Sequence, residues 1–443
     1  MMMRWLLVPA RALIAAALVL AGSQARALAG DQPTGFTMPN GLRVRLVPIR
    51  GEQGVAVLLG VRAGFFDEPS GSPHLAHVTE HLVVFASPDQ SDEGKAVSRW
   101  YGAGKANAET LPGFMYFDLH VEPADLDTAL RVQAVRLTRP EFTDPTLRRE
   151  IPRTLAELEH LENPGTYGTG KFAHSAFVQA VLHGRAEVPI EARTHTITVE
   201  DVRQFHARTF RVDRAMLTIV GGFDPIQARE GVEDAFGAIP VPAMLPPPPL
   251  PAPGVEGPVD ARWDASTRHL ILAWRTPPAS DPDHAALTLA GTALTGRLAT
   301  DRDLSAMAKS PVVTHEVEGF FLVGVQVKPG SDRDALRSKL LDRIGRLATP
   351  EGFDDAQVDR ARREFSATIA PSPLWMLLAS ARTSPLTVQT NVELQKIARG
   401  IVWGDLDEYA RRVEALDGGR VRDAVARILD PGQAIVVRIE PMP

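Results

Sequence analysis

Short apolar runs of strand length alternate along this chain with longer stretches whose apolar residues recur every three or four positions. Strand-like runs fall at Leu42 to Pro48, Val55 to Arg62, Phe114 to Val121 and Ala215 to Val220. Between them, helical spacing covers Ser72 to Phe85, Lys95 to Gly102, Asp125 to Leu137, Pro145 to Leu161 and Val199 to Thr209. The order then repeats in outline. Strands are expected at His269 to Trp274, Gly319 to Val327 and Gln433 to Ile439. Helices are expected at His284 to Leu294, Asp332 to Leu347, Asp355 to Ala367 and Gly419 to Leu429. Strands mixed with longer helices in each part predict an α+β protein. The parallel order of the two parts predicts a duplicated fold rather than a short-period repeat.

Two composition shifts divide the chain. Residues 240–258 hold a proline-rich run, Pro240-Val-Pro-Ala-Met-Leu-Pro-Pro-Pro-Pro-Leu-Pro-Ala-Pro-Gly254. Such a run favours extended polyproline II and joins no helix or central strand. It reads as a linker between residues 30–239 and 259–443, serving either as a clam-like joint or as a passive spacer. At the start, Arg4 and Arg11 precede an apolar run from Leu13 to Gly22, and Ala27-Leu28-Ala29 has the form of a cleavage site. Residues 1–29 therefore read as a secretory signal peptide; the other reading is an uncleaved anchor, which the short apolar run argues against. Removal takes three arginines from a formal charge of −6 and leaves −9. The expected product is exported, periplasmic or secreted, with no stable membrane anchor.

Composition removes several chemistries. The 443 residues include no cysteine. Disulfides, Cys-held zinc, iron–sulfur clusters and thiol catalysis are excluded, so any metal must be held by His, Asp and Glu. The acidic balance gives no basic footprint for nucleic acid.

Candidate chemistry concentrates in Ser72-Pro-His-Leu-Ala-His77-Val-Thr-Glu80-His81-Leu-Val-Val-Phe85. His77 and His81 are four apart, so on a helix their rings stand on one face, one turn apart. Two imidazoles need that separation to hold one zinc. Glu80 borders the same face and can reach a metal-bound water without being a ligand. The arrangement is H-x-x-E-H. His74 adds an i, i+3, i+7 spacing, so a three-histidine face is also compatible. The pentapeptide alone equally fits a helix with two partly buried histidines. A further ligand should come from another helix. In Arg149-Glu150-Ile-Pro-Arg-Thr-Leu-Ala-Glu157-Leu-Glu-His-Leu-Glu162, Glu150 and Glu157 share a face, whereas Glu159 and Glu162 read as solvated.

These residues resemble the inverzincin peptidases of the insulinase/pitrilysin family, in the two-domain branch that includes processing peptidases. There the H-x-x-E-H motif is followed about 76 residues later by a third zinc ligand, with another glutamate seven residues before it. His81 to Glu157 is 76 residues, and Glu150 precedes Glu157 by seven. The segments Met38 to Val44, Val61 to Glu68, Thr198 to Phe205 and Leu217 to Gly222 are similar to the family's opening and closing elements. Asn107-Ala108-Glu-Thr110 resembles its substrate-pairing edge segment. The resemblance implies two similar α/β-sandwich halves, each a mixed, largely antiparallel sheet with helices, of which only the first binds metal. It implies one Zn2+ per chain held by His77, His81 and Glu157, Glu80 as general base, Glu150 as supporting acid, and Asn107 and Ala108 lining extended peptide substrates.

One departure bears on activity. Family members carry an Arg and a Tyr in the second half, in a run like S-R-L-x-x-x-L-R-E-x-x-G-L-x-Y. Counting from Arg297, those positions are Asp303 and Ser310; Arg302 is one place off, and the second half's one tyrosine is Tyr409. The resemblance then implies a zinc-bearing subunit whose partner, a zinc-less subunit of the same family, supplies the pair. A homodimer is the other arrangement. Tyr116 or Arg302 substituting locally is a further option. The alternative function is a non-catalytic peptide-binding or scaffold subunit of the same family.

Overall fold

The computed structural model describes residues 33–158 except 70, 89 and 139, then 176–182, 184, 187–188, 194–241, 258–263, 267–314, 319–369, 371, 376, 379–380 and 383–442. The leader segment, Glu159, Glu162 and most of the proline-rich run lie outside the described residues. So the expectations for those segments are not addressed by it.

Twelve strands among the described residues form two six-stranded sheets. The first uses β1 (Thr34–Thr37), β2 (Arg43–Pro48), β3 (Val55–Val61), β4 (Ala106–Thr110), β5 (Met115–Val121) and β7 (Ala215–Gly221), in the order β1-β2-β7-β3-β5-β4. The second uses β6 (Glu187–Val188), β8 (Val259–Trp263), β9 (Arg268–Arg275), β10 (Ala308–Thr314), β11 (Phe320–Val327) and β12 (Ile435–Pro441), in the order β10-β11-β9-β12-β8-β6. Ignoring β1 and β6, the two orders are the same. In each of these five-strand sets the first strand pairs parallel with the last and the other pairs are antiparallel; β6 adds a further parallel pair with β8. The expected α+β architecture with two similar, mixed, largely antiparallel sheets is the one observed. Among the described residues no helix is long and apolar enough to cross a membrane.

The central strands explain how each sheet is covered. Every residue of Val55–Val61 and of Phe320–Val327 is buried. A strand that is apolar on successive positions, not alternate ones, needs cover on both faces. One face of the first sheet meets its own helices, α1 (Leu75–Val84) among them, through Val57, Leu59, Phe117 and Leu217. The opposite face meets Leu386, Leu394 and Ile397 from a helix late in the chain, Pro385–Trp403, which lie on Val47, Ala56, Leu58 and Val220. The second sheet shows the reciprocal arrangement. The helix Pro282–Thr300 and its neighbours cover one face. Ala176, Phe177 and Ala180 cover the other, on Trp263, Ile271, Ala273 and Val437, and β6 joins the same sheet beside β8. Each sheet is thus closed by a segment from the other part of the chain.

A buried ion pair marks the first of these exchanges. Arg45 Nε on β2 donates to Glu393 Oε2 at 2.7 Å, and the Glu393 side chain is fully buried. Lys396 Nζ and Gln389 Nε2 each donate to Glu393 Oε1 at 3.0 Å. Arg43 Nη1 donates to the Gly400 carbonyl at 2.7 Å.

Several elements were not apparent from periodicity. The helix Pro385–Trp403 buries Val388 and Val392 on one side and packs Leu386 and Leu394 on another, and leaves a narrow exposed polar stripe at Thr387, Asn391 and Gln395. The helix Pro225–Phe236 begins at Asp224, whose carboxylate accepts from the Ile226 and Gln227 N–H groups, with Pro at its first position; those two residues carried the signal. Leu406–Glu414 was also missed. The strands Thr34–Thr37 and Val259–Trp263 are short, and periodicity needs length; Ala308–Thr314 is interrupted by Pro311 and by a register shift between Lys309 and Val312.

The exchange predicts a specific sensitivity. Arg45→Ala leaves Glu393 buried with only Lys396 as its cationic partner, and is expected to lower unfolding stability by about 2–4 kcal/mol. Urea denaturation checks this.

Candidate metal centre

α1 carries Leu75-Ala-His77-Val-Thr-Glu80-His81-Leu-Val-Val84. Val78, Leu82 and Val83 turn into the core of the first sheet, which fixes the helix's rotation. That leaves His77, Glu80 and His81 towards β4 and towards α2 (Asp144–Leu158), which packs along α1. The His77 and His81 rings lie 4.9 Å apart at 77°.

α2 brings Glu157 between them. His77 Nε2 is 3.3 Å and His81 Nε2 3.6 Å from Glu157 Oε2. Ligand atoms of all three residues lie within 4.8 Å of one another. A tetrahedral zinc with bonds of about 2.0–2.2 Å separates its ligand atoms by about 3.4 Å. Two imidazole nitrogens and one carboxylate oxygen at these distances fit that ion and leave one position for a fourth ligand. His77 is buried, His81 nearly so, and the Glu157 side chain is 60% exposed, so the cluster opens on the Glu157 side.

Glu150 sits behind His81. Its fully buried carboxylate places Oε2 3.4 Å from His81 Nδ1. It therefore meets the ring nitrogen opposite the one facing Glu157, as a residue that orients a metal-binding imidazole does. Arg149 Nε at 2.8 Å and Arg153 Nη1 at 3.0 Å donate to its Oε1. Burial disfavours the charge on Glu150, but the hydrogen bonds from His81 and Arg149 and the charge of Arg153 win and hold its carboxyl below the ordinary range. Burial likewise opposes a proton on His81, yet its bonds to Glu150 and Glu157 push it up to about 10. Hydrogen bonds from His77 and His81 hold Glu157 well below the usual carboxylate range.

Glu80 is buried beside this cluster, and the Thr110 hydroxyl donates to its Oε2 at 2.7 Å. Thr110 ends β4, the last strand of the first sheet. Asn107 and Ala108 lie on β4; Asn107 is exposed, and Ala108 packs partly on the core. Among the described residues the outer edge of β4 has no strand paired with it, so it offers the unpaired backbone that an extended peptide needs. His74 does not join the cluster. It precedes α1 in the left-handed region at φ 65°, and its ring is buried with neither nitrogen hydrogen-bonded.

The second half carries nothing equivalent at the matching helix. In Pro282–Thr300, His284 and Thr288 are also four apart, but both bond the Tyr409 hydroxyl, at 2.8 and 2.5 Å, inside the core. Tyr409 is therefore sealed away from any substrate. Arg302 and Asp303 are exposed on a short helix, and Ser310 lies on β10 with φ 49°. Tyr116, the local alternative, donates to Glu109 Oε2 at 2.7 Å. Reading the sequence missed Thr110 as the partner of Glu80, the two arginines on Glu150, and Glu68, described below. Thr110 had been noted as part of the edge segment, but contact with Glu80 depends on how α1 crosses β4.

Comparison with known proteins identifies the family. Residues 44–180 match the family model Insulinase (Peptidase family M16), and residues 196–365 match Peptidase M16 inactive domain. The chain belongs to the insulinase/pitrilysin family of peptidases. It is similar to the insulin-degrading enzyme of Drosophila melanogaster (27% identity; 42% of this chain, 20% of that protein) and to an uncharacterized zinc protease of Mycobacterium leprae (25%; 60% of each). It is also similar to the coenzyme PQQ synthesis protein F of Pseudomonas aeruginosa (29%; 48% and 28%). The chain thus spans 20–60% of the length of these relatives. Among solved structures, a protease from Helicobacter pylori shares the fold with TM-score 0.65 at 17% identity, covering 93% of this chain and all of that one. The first half of the periplasmic protease PqqL from Escherichia coli shares it with TM-score 0.60 at 14%, covering 92% of each.

The cluster's electrostatics predict a linked proton. With His81 raised to about 10, its imidazole carries a proton at pH 7 in the metal-free chain, and a ligating imidazole must be neutral. Zinc loading is expected to release about one proton at pH 7, and apparent affinity to rise about tenfold per pH unit between 6 and 8. Calorimetry in buffers of different ionisation heat measures the release, and a zinc affinity independent of pH between 6 and 8 would refute it.

Proposed function

We propose that this chain is a zinc-dependent endopeptidase subunit that hydrolyses peptides or unfolded segments. The observation that carries the reading is the convergence of His77, His81 and Glu157 on one point beside the buried Glu80, at the free edge of β4. Zinc bound there supplies a Lewis acid and lowers the pKa of a bound water towards 7. Glu80 takes the proton of the attacking water and returns it to the leaving amine. Thr110 holds Glu80 in place, and Glu150 orients His81. An extended substrate lies along β4 at Asn107 and Ala108, paired by main-chain hydrogen bonds. Relatives named as zinc proteases support the choice of metal.

The reading includes a partner. Neither Asp303 nor Ser310 offers what an Arg/Tyr pair would bring to a substrate carbonyl and oxyanion, and losing one oxyanion donor costs about 10²–10³ in rate. A zinc-less subunit of the same family would supply the pair. The reading also includes export to the periplasm, which the leader-like residues 1–29 support.

Glu80→Gln is expected to lower peptide hydrolysis by at least about 10² while one zinc per chain is retained, measured with a quenched fluorogenic peptide mixture and metal analysis. Undiminished hydrolysis by that variant would refute the role of Glu80. A wild-type chain that binds zinc and peptides but cleaves none, even with its partner, would support a peptide-binding or scaffold subunit instead. The chain purified alone is expected to cleave about 10²–10³ more slowly than the assembled pair. Full activity of the lone chain would remove the partner from the reading.

A further inference from the structure

The first turn of α1 has an unusual anchor. His74, the residue before it, is in the left-handed conformation and makes no side-chain cap. The free N–H groups at this end are held from outside the helix. The Glu68 carboxylate accepts from Ala76 N at 3.0 Å and from the His74 backbone N–H. Ala76 is the residue directly before His77. Glu68 is 3% exposed, and burial pushes its carboxyl up to about 8.

The other side of Glu68 explains why the anchor stands where it does. Its Oε2 accepts from Gln179 Nε2 at 3.5 Å, and Gln179 is fully buried. Gln179 belongs to the segment whose Phe177 covers the second sheet. Phe66, two residues before Glu68, lies 6.3 Å from both Phe177 and Phe320, which are themselves 4.9 Å apart. The chain from Phe66 to Glu68 thus ties the start of α1 to the cover of the other sheet.

We propose that Glu68 is a positioning residue for the metal centre, fixing the first turn of α1, and through it His77, against the segment that closes the second sheet. Metal geometry then depends on the packing between the two halves. The proposal rests on His77, His81 and Glu157 holding zinc.

The test compares wild type with Glu68→Ala, Glu68→Gln, Glu68→Asp and Gln179→Ala. Zinc affinity is measured by chelator competition, the absorption bands of the cobalt-substituted protein report ligand geometry, and thermal unfolding reports stability. Glu68→Ala is expected to weaken zinc binding about 10–100-fold and to shift the cobalt bands. Glu68→Gln, which keeps the reach and an acceptor oxygen, is expected to restore most of both. Gln179→Ala is expected to move the same bands in the same direction. A folded Glu68→Ala with wild-type affinity and an unchanged cobalt spectrum overturns the proposal and leaves the zinc site standing. Should Glu68→Ala not fold, Glu68→Asp, which is one methylene short of Ala76, decides by the same spectrum. A wild-type chain that binds neither zinc nor cobalt overturns both.

Discussion

A sheet whose central strands are buried on every residue must be covered twice, and the helices that follow each sheet in this chain cover it once. The missing cover is the constraint on which the architecture turns. It is met by exchange: the helix Pro385–Trp403 closes the first sheet, and residues 176–180 close the second. The exchange also determines where charge is buried, because Glu393 enters the interface only by bringing Lys396 and meeting Arg45.

The metal centre inherits its precision from that packing. α1 is held on its inner side by the first sheet, along its length by α2, and at its start by Glu68. Its outer side presents His77, Glu80 and His81 to α2, which brings Glu157 from 80 residues beyond His77. The free edge of β4 and the carboxylate of Glu80 are joined by a single hydroxyl, that of Thr110. In the proposed reading, substrate strand, base and metal ligands therefore share one corner of the fold. The second half keeps the four-residue spacing at His284 and Thr288 but turns it inward onto Tyr409, so the same position on the fold carries the candidate metal cluster in one half and core hydrogen bonding in the other.

Much of this was legible in the residues. The long central strands and α1 announced themselves because burial on both faces, or on one helical stripe, leaves a strong periodic trace. His77, Glu80 and His81 were legible because a local spacing becomes a local geometry. Glu157 required a resemblance, since nothing local in an acidic helix separates a ligand from a solvated side chain. Glu68 was not legible: its role depends on Gln179, more than a hundred residues away, and on a helix start that has no cap of its own. The exchanged helix was hidden for a related reason. A helix packed on two sides keeps only a narrow polar stripe, here Thr387, Asn391 and Gln395, and a narrow stripe leaves a weak periodic trace.

The reciprocal closure has a consequence for the backbone connection itself. If each sheet is completed by a segment from the other side of residues 241–258, the covalent link there is not what keeps the two together. A chain cut within that stretch would yield two fragments, neither able to seal its own sheet, each carrying the piece the other lacks. Their cohesion would be that of a tight heterodimer, held by sheet cover and by Arg45 with Glu393. Two separately expressed pieces would be expected to require co-folding rather than docking. The fold is in this sense an assembly of two mutually dependent halves that happen to share one polypeptide.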